Sequence, residues 1–134
     1  MPEIADFVNR GAATVTPAAV AEVLRHLPQW KLEFTQIREP LFPHLAEQLE
    51  FLANAVEDFA EGAYKDLSYS AFAQAVFALI YSHKKVGIIP DSFLNLGRAD
   101  DSSVARVVLI QNEKAFAIYA AAQDVDWSRI TSQA

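Results

Sequence analysis

The sequence predicts an all-α protein, a single-domain bundle of about four main helices plus short helices. Apolar residues recur at helical spacing along several segments, and residues 71–81 are apolar nearly all round, as in a helix surrounded by others. The stretch around Leu32 and Phe34 alternates like a strand, but the sequence offers no second strand to pair with it. The chain has 134 residues, of which 52% are hydrophobic and 21% charged. This length and composition predict that residues 1–134 form one packed domain.

Two helices are expected in the first part of the chain. A short helix is predicted within residues 1–13, and residues 1–15 are assigned to the periphery of the domain. Thr16 can cap the next helix, with Pro17 at its first position, where the missing N–H has no cost. Pro28 is expected to end that helix, and residues 29–39 to form a short helix or an irregular link. The predicted inner face consists of Val20, Val23, Leu24 and Leu27.

The middle of the chain carries the two clearest helical patterns. Residues 43–61 present one apolar face, and Gly62 can close this helix in the left-handed conformation. That face consists of Leu45, Leu49, Leu52, Val56 and Phe59. Ser68 or Ser70 can cap the next helix, which is the predicted buried centre near residues 70–85. Its inner residues are Phe72, Val76, Leu79 and Ile80.

A turn at residues 86–101 is expected to lead into a last long helix over 102–122. The predicted inner face of that helix is Val104, Val107, Val108, Ala115, Ile118, Tyr119 and Ala122. Residues 123–134 lose helical periodicity and are assigned to the periphery, although Trp127 is expected to fold back onto the domain.

Composition narrows the classes of function. The net charge of −6 argues against nucleic-acid binding, because affinity for phosphates comes mostly from clustered Lys and Arg. The absence of cysteine excludes thiol catalysis and thiolate metal sites. Residues 71–81 are too few to span a membrane, and an N-terminus with Glu3 and Asp6 is unlike a signal peptide. We therefore expect a soluble, cytoplasmic protein without a cofactor.

The turn at residues 86–101 concentrates the unusual residues of the sequence. Gly87 and Pro90 break the preceding helix, and Asp91 can cap a short turn that Gly97 closes. Asp100 or Asp101 can then cap the last helix, where a carboxylate also meets the positive end of the helix dipole. The apolar residues of this turn would be partly exposed and form a candidate contact surface, namely Phe93, Leu94 and Leu96.

The motif in this turn resembles the YkvA-like family, a domain of unknown function. The matching residues are Tyr81, Ile89, Pro90, Asp91, Gly97, Asp100 and Asp101, and upstream Asp58, Gly62 and Tyr64. The resemblance covers about residues 45–122 and implies a helical fold without an established activity, in a family with some membrane-associated members. One feature departs from the family, whose Pro-x-Asp before the turn is replaced here by Lys85, Val86 and Gly87.

Three functions are left open by the sequence. The favoured one is a protein-interaction module that binds another copy of itself or another protein. The first alternative is an enzyme that depends on Mg²⁺ or Ca²⁺, with Asp91, Asp100 and Asp101 as hard oxygen ligands. The second is a factor that contacts a membrane surface without spanning it. Zinc is disfavoured because the three histidines are far apart in sequence, at His26, His44 and His83.

Overall fold

The computed structural model describes residues 2–35, 45–84 and 99–131, and these ranges contain seven helices and no strand. The helices are α1 (Pro2–Ala13), α2 (Pro17–Phe34), α3 (Leu45–Ala60), α4 (Tyr69–Lys84), α5 (Ala99–Gln111), α6 (Glu113–Ala122) and α7 (Trp127–Thr131). The predicted all-α class is confirmed. No helix in these ranges has both the length and the apolar character needed to cross a bilayer.

Helix α4 is the centre of the bundle, as predicted. It packs against α1, α2, α3 and α5. Val76 and Leu79 are fully buried, Phe72 is almost so, and Ile80 is partly buried. An apolar surface on all sides of a helix is stable only where neighbours cover all sides, and α4 has such neighbours.

Side-chain caps begin two of the helices where the sequence placed them. The Thr16 hydroxyl accepts a hydrogen bond from the Ala19 amide at 3.1 Å, at the start of α2. The Ser68 hydroxyl accepts one from the Ala71 amide at 3.1 Å, at the start of α4. Each bond satisfies an amide that has no partner within its own helix.

Gly62 ends α3 in the left-handed conformation, with φ of 80°. Its amide donates to the Phe59 carbonyl at 3.2 Å, and the Ala63 amide donates to the Asp58 carbonyl at 2.9 Å. This pair of bonds is the Schellman arrangement, which favours glycine at the left-handed position. The predicted role of Gly62 is confirmed.

The prediction that Pro28 ends the second helix is wrong, because α2 continues through it to Phe34. Pro28 is exposed, whereas Leu27, Trp30 and Phe34 around it are buried. A proline inside a helix costs about 3 kcal/mol, but burial of each large apolar side chain contributes about 1.5–3 kcal/mol. The free energy gained by burying the second half of α2 therefore exceeds the cost of Pro28 within the helix.

The prediction of one helix over residues 102–122 is also wrong. The segment begins earlier, at Ala99, and is divided at Asn112 into α5 and α6. Ile118 is 55% exposed and Ala122 is exposed, although both were assigned to the inner face. The buried positions of α6 are instead Phe116, Tyr119 and Ala120.

The polar residue Asn112 explains this error. Its side-chain amide donates to the Gln74 side-chain oxygen of α4 at 2.9 Å and to the Val108 carbonyl at 2.8 Å. Gln111 donates to the same Gln74 oxygen at 2.9 Å. The side of the segment that faces the bundle therefore includes the polar residue Asn112. A search for apolar residues at helical spacing does not identify such a position.

The two terminal helices pack more closely than their peripheral assignment implied. In α1, Val8 is fully buried and the Phe7 ring lies edge-on to Phe77 of α4, with ring centroids 5.3 Å apart. In α7, the Trp127 ring lies 5.8 Å from that of Phe51, which confirms that Trp127 folds back. Ile130 of α7 is also buried.

Candidate functional site

The predicted turn at residues 86–101 lies mostly outside the described residues. Its members Ile89, Pro90, Asp91, Phe93, Leu94, Leu96 and Gly97 belong to residues 85–98, which the structure does not describe. The cap at Asp91, the contact surface and the carboxylate site therefore stay predictions.

Asp100 and Asp101 lie within the first turn of α5, because that helix begins at Ala99. The prediction had placed one of the two, Asp100 or Asp101, as the cap of a helix that began near residue 102. Acidic residues within the first turn still lie near the positive end of the helix dipole, which stabilises the helix.

The described tyrosines of the motif pack among aromatic rings. Tyr81 is buried in α4, with its ring 5.4 Å from that of Phe7. Tyr64 follows the end of α3, and its ring lies edge-on to Tyr119 at 4.9 Å. Both tyrosines therefore contribute to joining helices.

Tyr119 forms a polar link between α6 and α3. Its hydroxyl donates to Asp58 Oδ2 at 2.5 Å, beside a cavity of about 210 Å³ whose walls include Asn54 and Gln123. Burial, and then the hydrogen bond to Asp58, raises the pKa of Tyr119 well above its usual value. The hydrogen bond and the packing of the Tyr119 ring against Phe51 make this pair a link between α6 and α3.

Helix α6 has an apolar outer side as well as an apolar inner side. On the outer side Ile118 is 55% exposed, and Ala121 and Ala122 are exposed too. Lys114 lies one turn before Ile118 on the same side. We call these four residues the α6 outer face. The sequence already held the signal for this face, since residues 115–122 contain no polar side chain except the Tyr119 hydroxyl.

A groove of about 400 Å³ lies between α3 and the turn that joins α6 to α7. Apolar side chains contribute to its walls, and carboxylates surround them. The lining residues are Glu47, Glu50, Phe51 and Asn54 of α3, with Asp124, Val125, Asp126 and Ile130 from the turn and α7. We call this the acidic groove. Sequence reasoning missed it because its two walls are about seventy residues apart along the chain.

The described side chains offer little to a metal ion. Within the part of the chain that the structure describes, no three His, Asp or Glu side chains are grouped so that they could hold one. His26 lies on α2, where its Nδ1 is 2.9 Å from the Glu22 carbonyl and its ring stacks on Trp30. His26 is thus a partly exposed helix residue. His44 lies outside the described residues, and the side chain of His83 is not described.

Comparison with known proteins found no family model, curated protein or solved structure that matches this chain. The YkvA-like resemblance therefore stays a prediction. Of its residues, Gly62, Tyr64 and Tyr81 have structural roles in helix termination and aromatic packing.

Proposed function

We propose that this chain is a protein-interaction module that associates with a second copy of itself through the α6 outer face. The observation that carries the proposal is the exposure of Ile118, at 55%, on a helix that is apolar on both sides. Helices of that kind are normally covered all round, and exposed apolar surface marks contact sites.

A second copy suits this face because one protruding apolar side chain lies beside two small ones. In a two-fold contact the same patch meets itself, so that each protrusion must find a recess on the other copy. Ile118 supplies the protrusion, and Ala121 and Ala122 leave room for the Ile118 of the partner copy. The single charge on the face, Lys114, can reach its ammonium past the edge of the contact into water.

The association is expected to be weak. Helix α6 has ten residues and is therefore about 15 Å long. Stable complexes usually bury about 800 Å² on each partner, which one short helix face cannot supply alone. Ile110, near the end of α5, is a further exposed apolar side chain, at 61%. We expect a dissociation constant of roughly 1–100 μM.

Sedimentation velocity over a concentration series tests this proposal. The wild-type chain should shift towards a dimer as concentration rises, and Ile118→Lys should remain a monomer, since it buries a charge in the contact. Leu32→Lys is the matched control, because Leu32 is 64% exposed on α2 and receives the same charge. A wild-type chain that stays monomeric at about 0.5 mM, well above a micromolar dissociation constant, would refute self-association. So would an equal loss of dimer in both variants.

A further inference from the structure

The acidic groove combines apolar walls with a carboxylate rim. Phe51 and Ile130 are buried beneath it, and Val125 is 37% exposed on one side. Glu50 and Asp124 are exposed at the rim, on opposite walls. A volume of about 400 Å³ is enough for one or two long side chains of a bound segment, and lies within the range of ligand pockets.

The charged side chains that the structure describes on this rim are all carboxylates. Four carboxylates line the groove, and no basic side chain is among its described lining residues. The whole chain adds a net charge of −6, which would attract cations and repel anions from a distance. The groove therefore complements a positively charged partner.

The carboxylates are distributed over both walls of the groove, which favours a long cationic ligand over a single metal ion. The described side chains form no group of three that could hold a metal ion. Long cationic side chains suit the arrangement better, since their aliphatic stems can cover Val125 while their charged ends reach Glu50 and Asp124. Arginine fits best, because its planar guanidinium pairs with a carboxylate through two hydrogen bonds.

Behind the groove, a buried glutamine contacts one of the lining residues. Gln48 is 1% exposed, and its side-chain amide donates to the carbonyl of the lining residue Ile130 at 3.0 Å. Its Oε1 atom has no hydrogen-bond donor among the residues that the structure describes. Gln48 does not itself line the groove, so its bond to Ile130 serves to hold α7 against α3 on that side.

From these observations we propose that the acidic groove binds a protein segment in which arginines alternate with apolar residues. The arginines would pair with Glu50 on one wall and Asp124 on the other, and the apolar side chains would cover Val125. This inference does not depend on the α6 outer face.

Fluorescence polarisation with labelled peptides tests the proposal on the full chain. The probe is an octapeptide that alternates Arg and Leu, and its counterpart has Gln in place of each Arg. The Arg peptide should bind at about 50 mM salt, where screening is modest, and the Gln peptide should bind at least tenfold more weakly. Equal binding of the two peptides, or no binding of the Arg peptide, overturns the proposal.

Paired variants separate the groove from the general acidity of the chain. Glu50→Gln combined with Asp124→Asn removes two rim charges, and asparagine tolerates the left-handed φ of 60° at position 124. Glu22→Gln combined with Glu113→Gln removes two exposed charges elsewhere. The groove pair should weaken the Arg peptide about tenfold or more, and the control pair less than about threefold. If both pairs of substitutions weakened binding of the Arg peptide equally, the peptide would be attracted by the overall charge of the chain and not by the groove, and the proposed site would be overturned. Spermine that competes as strongly as the peptide would overturn a protein segment as the occupant.

Discussion

Replacing Tyr119 with phenylalanine removes one hydroxyl and leaves the surrounding packing in place. The side chain is 1% exposed, and its hydroxyl donates to Asp58 Oδ2 at 2.5 Å. Its ring also lies edge-on to Phe51 at 5.5 Å and to Tyr64 at 4.9 Å, and phenylalanine would keep both contacts. The variant therefore isolates the polar link between α6 and α3.

The expected loss of stability follows from the surroundings of the two partners. A hydrogen bond to a charged group contributes about 1.5–3 kcal/mol. Asp58 is only partly buried and borders a cavity, so water can replace the lost donor there. We therefore expect Tyr119→Phe to lower the free energy of unfolding by about 1–2 kcal/mol, measured by urea unfolding at pH 7 with circular dichroism. Tyr69→Phe is the control, since Tyr69 is 61% exposed, and it should lose less than about 0.5 kcal/mol.

The Tyr119 hydroxyl should also make the stability of the fold depend on pH. Burial, followed by the bond to Asp58, raises the pKa of Tyr119 in the folded chain above its value of about 10 in the unfolded chain. Above about pH 10 the unfolded chain releases this proton and the folded chain keeps it. The stability contributed by Tyr119 is thus fully present below pH 10 and declines above it, by at most about 1.4 kcal/mol per pH unit. Tyr119→Phe should make the decline between about pH 9 and 11 shallower than in the wild type. Equal stability at pH 7 together with equal slopes would refute a structural role for this bond.

Three further predictions concern the packing of the bundle and its undescribed turn. Val76 is fully buried in α4, so Val76→Asp should lower the free energy of unfolding by several kcal/mol and Val76→Ala by roughly 1–3 kcal/mol. Thermal unfolding that shows almost no loss of stability in either variant would contradict this. A Cβ atom added at Gly11 would overlap the Phe77 ring, so Gly11→Ala should lower the free energy of unfolding by about 1–3 kcal/mol. The loss should be smaller when Phe77 is also replaced by Ala, and strictly additive effects of the two changes would exclude the overlap. If Asp91 is a helix cap, Asp91→Asn should leave the melting temperature nearly unchanged and Asp91→Ala should cost about 1 kcal/mol, whereas equal effects would argue against capping.

Local signals predicted the parts of the fold that depend on local physics. Thr16, Ser68 and Gly62 end or begin helices through bonds made within a few residues, which the sequence displays directly. The central position of α4 was predictable too, because an apolar surface on all sides has one stable solution. These features follow from residues that are neighbours in the chain.

Long-range contacts decided the features that the sequence could not show. Helix α2 continues past Pro28 because Trp30 and Phe34 are buried against other elements. The inner side of α6 was misassigned because the partner of Asn112 is Gln74, thirty-eight residues away. The acidic groove likewise joins α3 to the turn after α6, so neither of its walls is recognisable alone.

Cysteine cross-linking tests most directly whether the α6 outer face is a self-association surface. The chain has no cysteine, so a single one introduced at Ile118 or at Ala121 can form a disulfide only with another copy. Such a bond requires Cα atoms within about 7 Å of each other. Under mild oxidation at about 0.5 mM, where a dimer with a micromolar dissociation constant is populated, a two-fold contact through α6 predicts rapid conversion of Ile118→Cys or Ala121→Cys to a covalent dimer, while Leu32→Cys on α2 stays largely monomeric. Equal, slow cross-linking at all three positions would contradict association through this face.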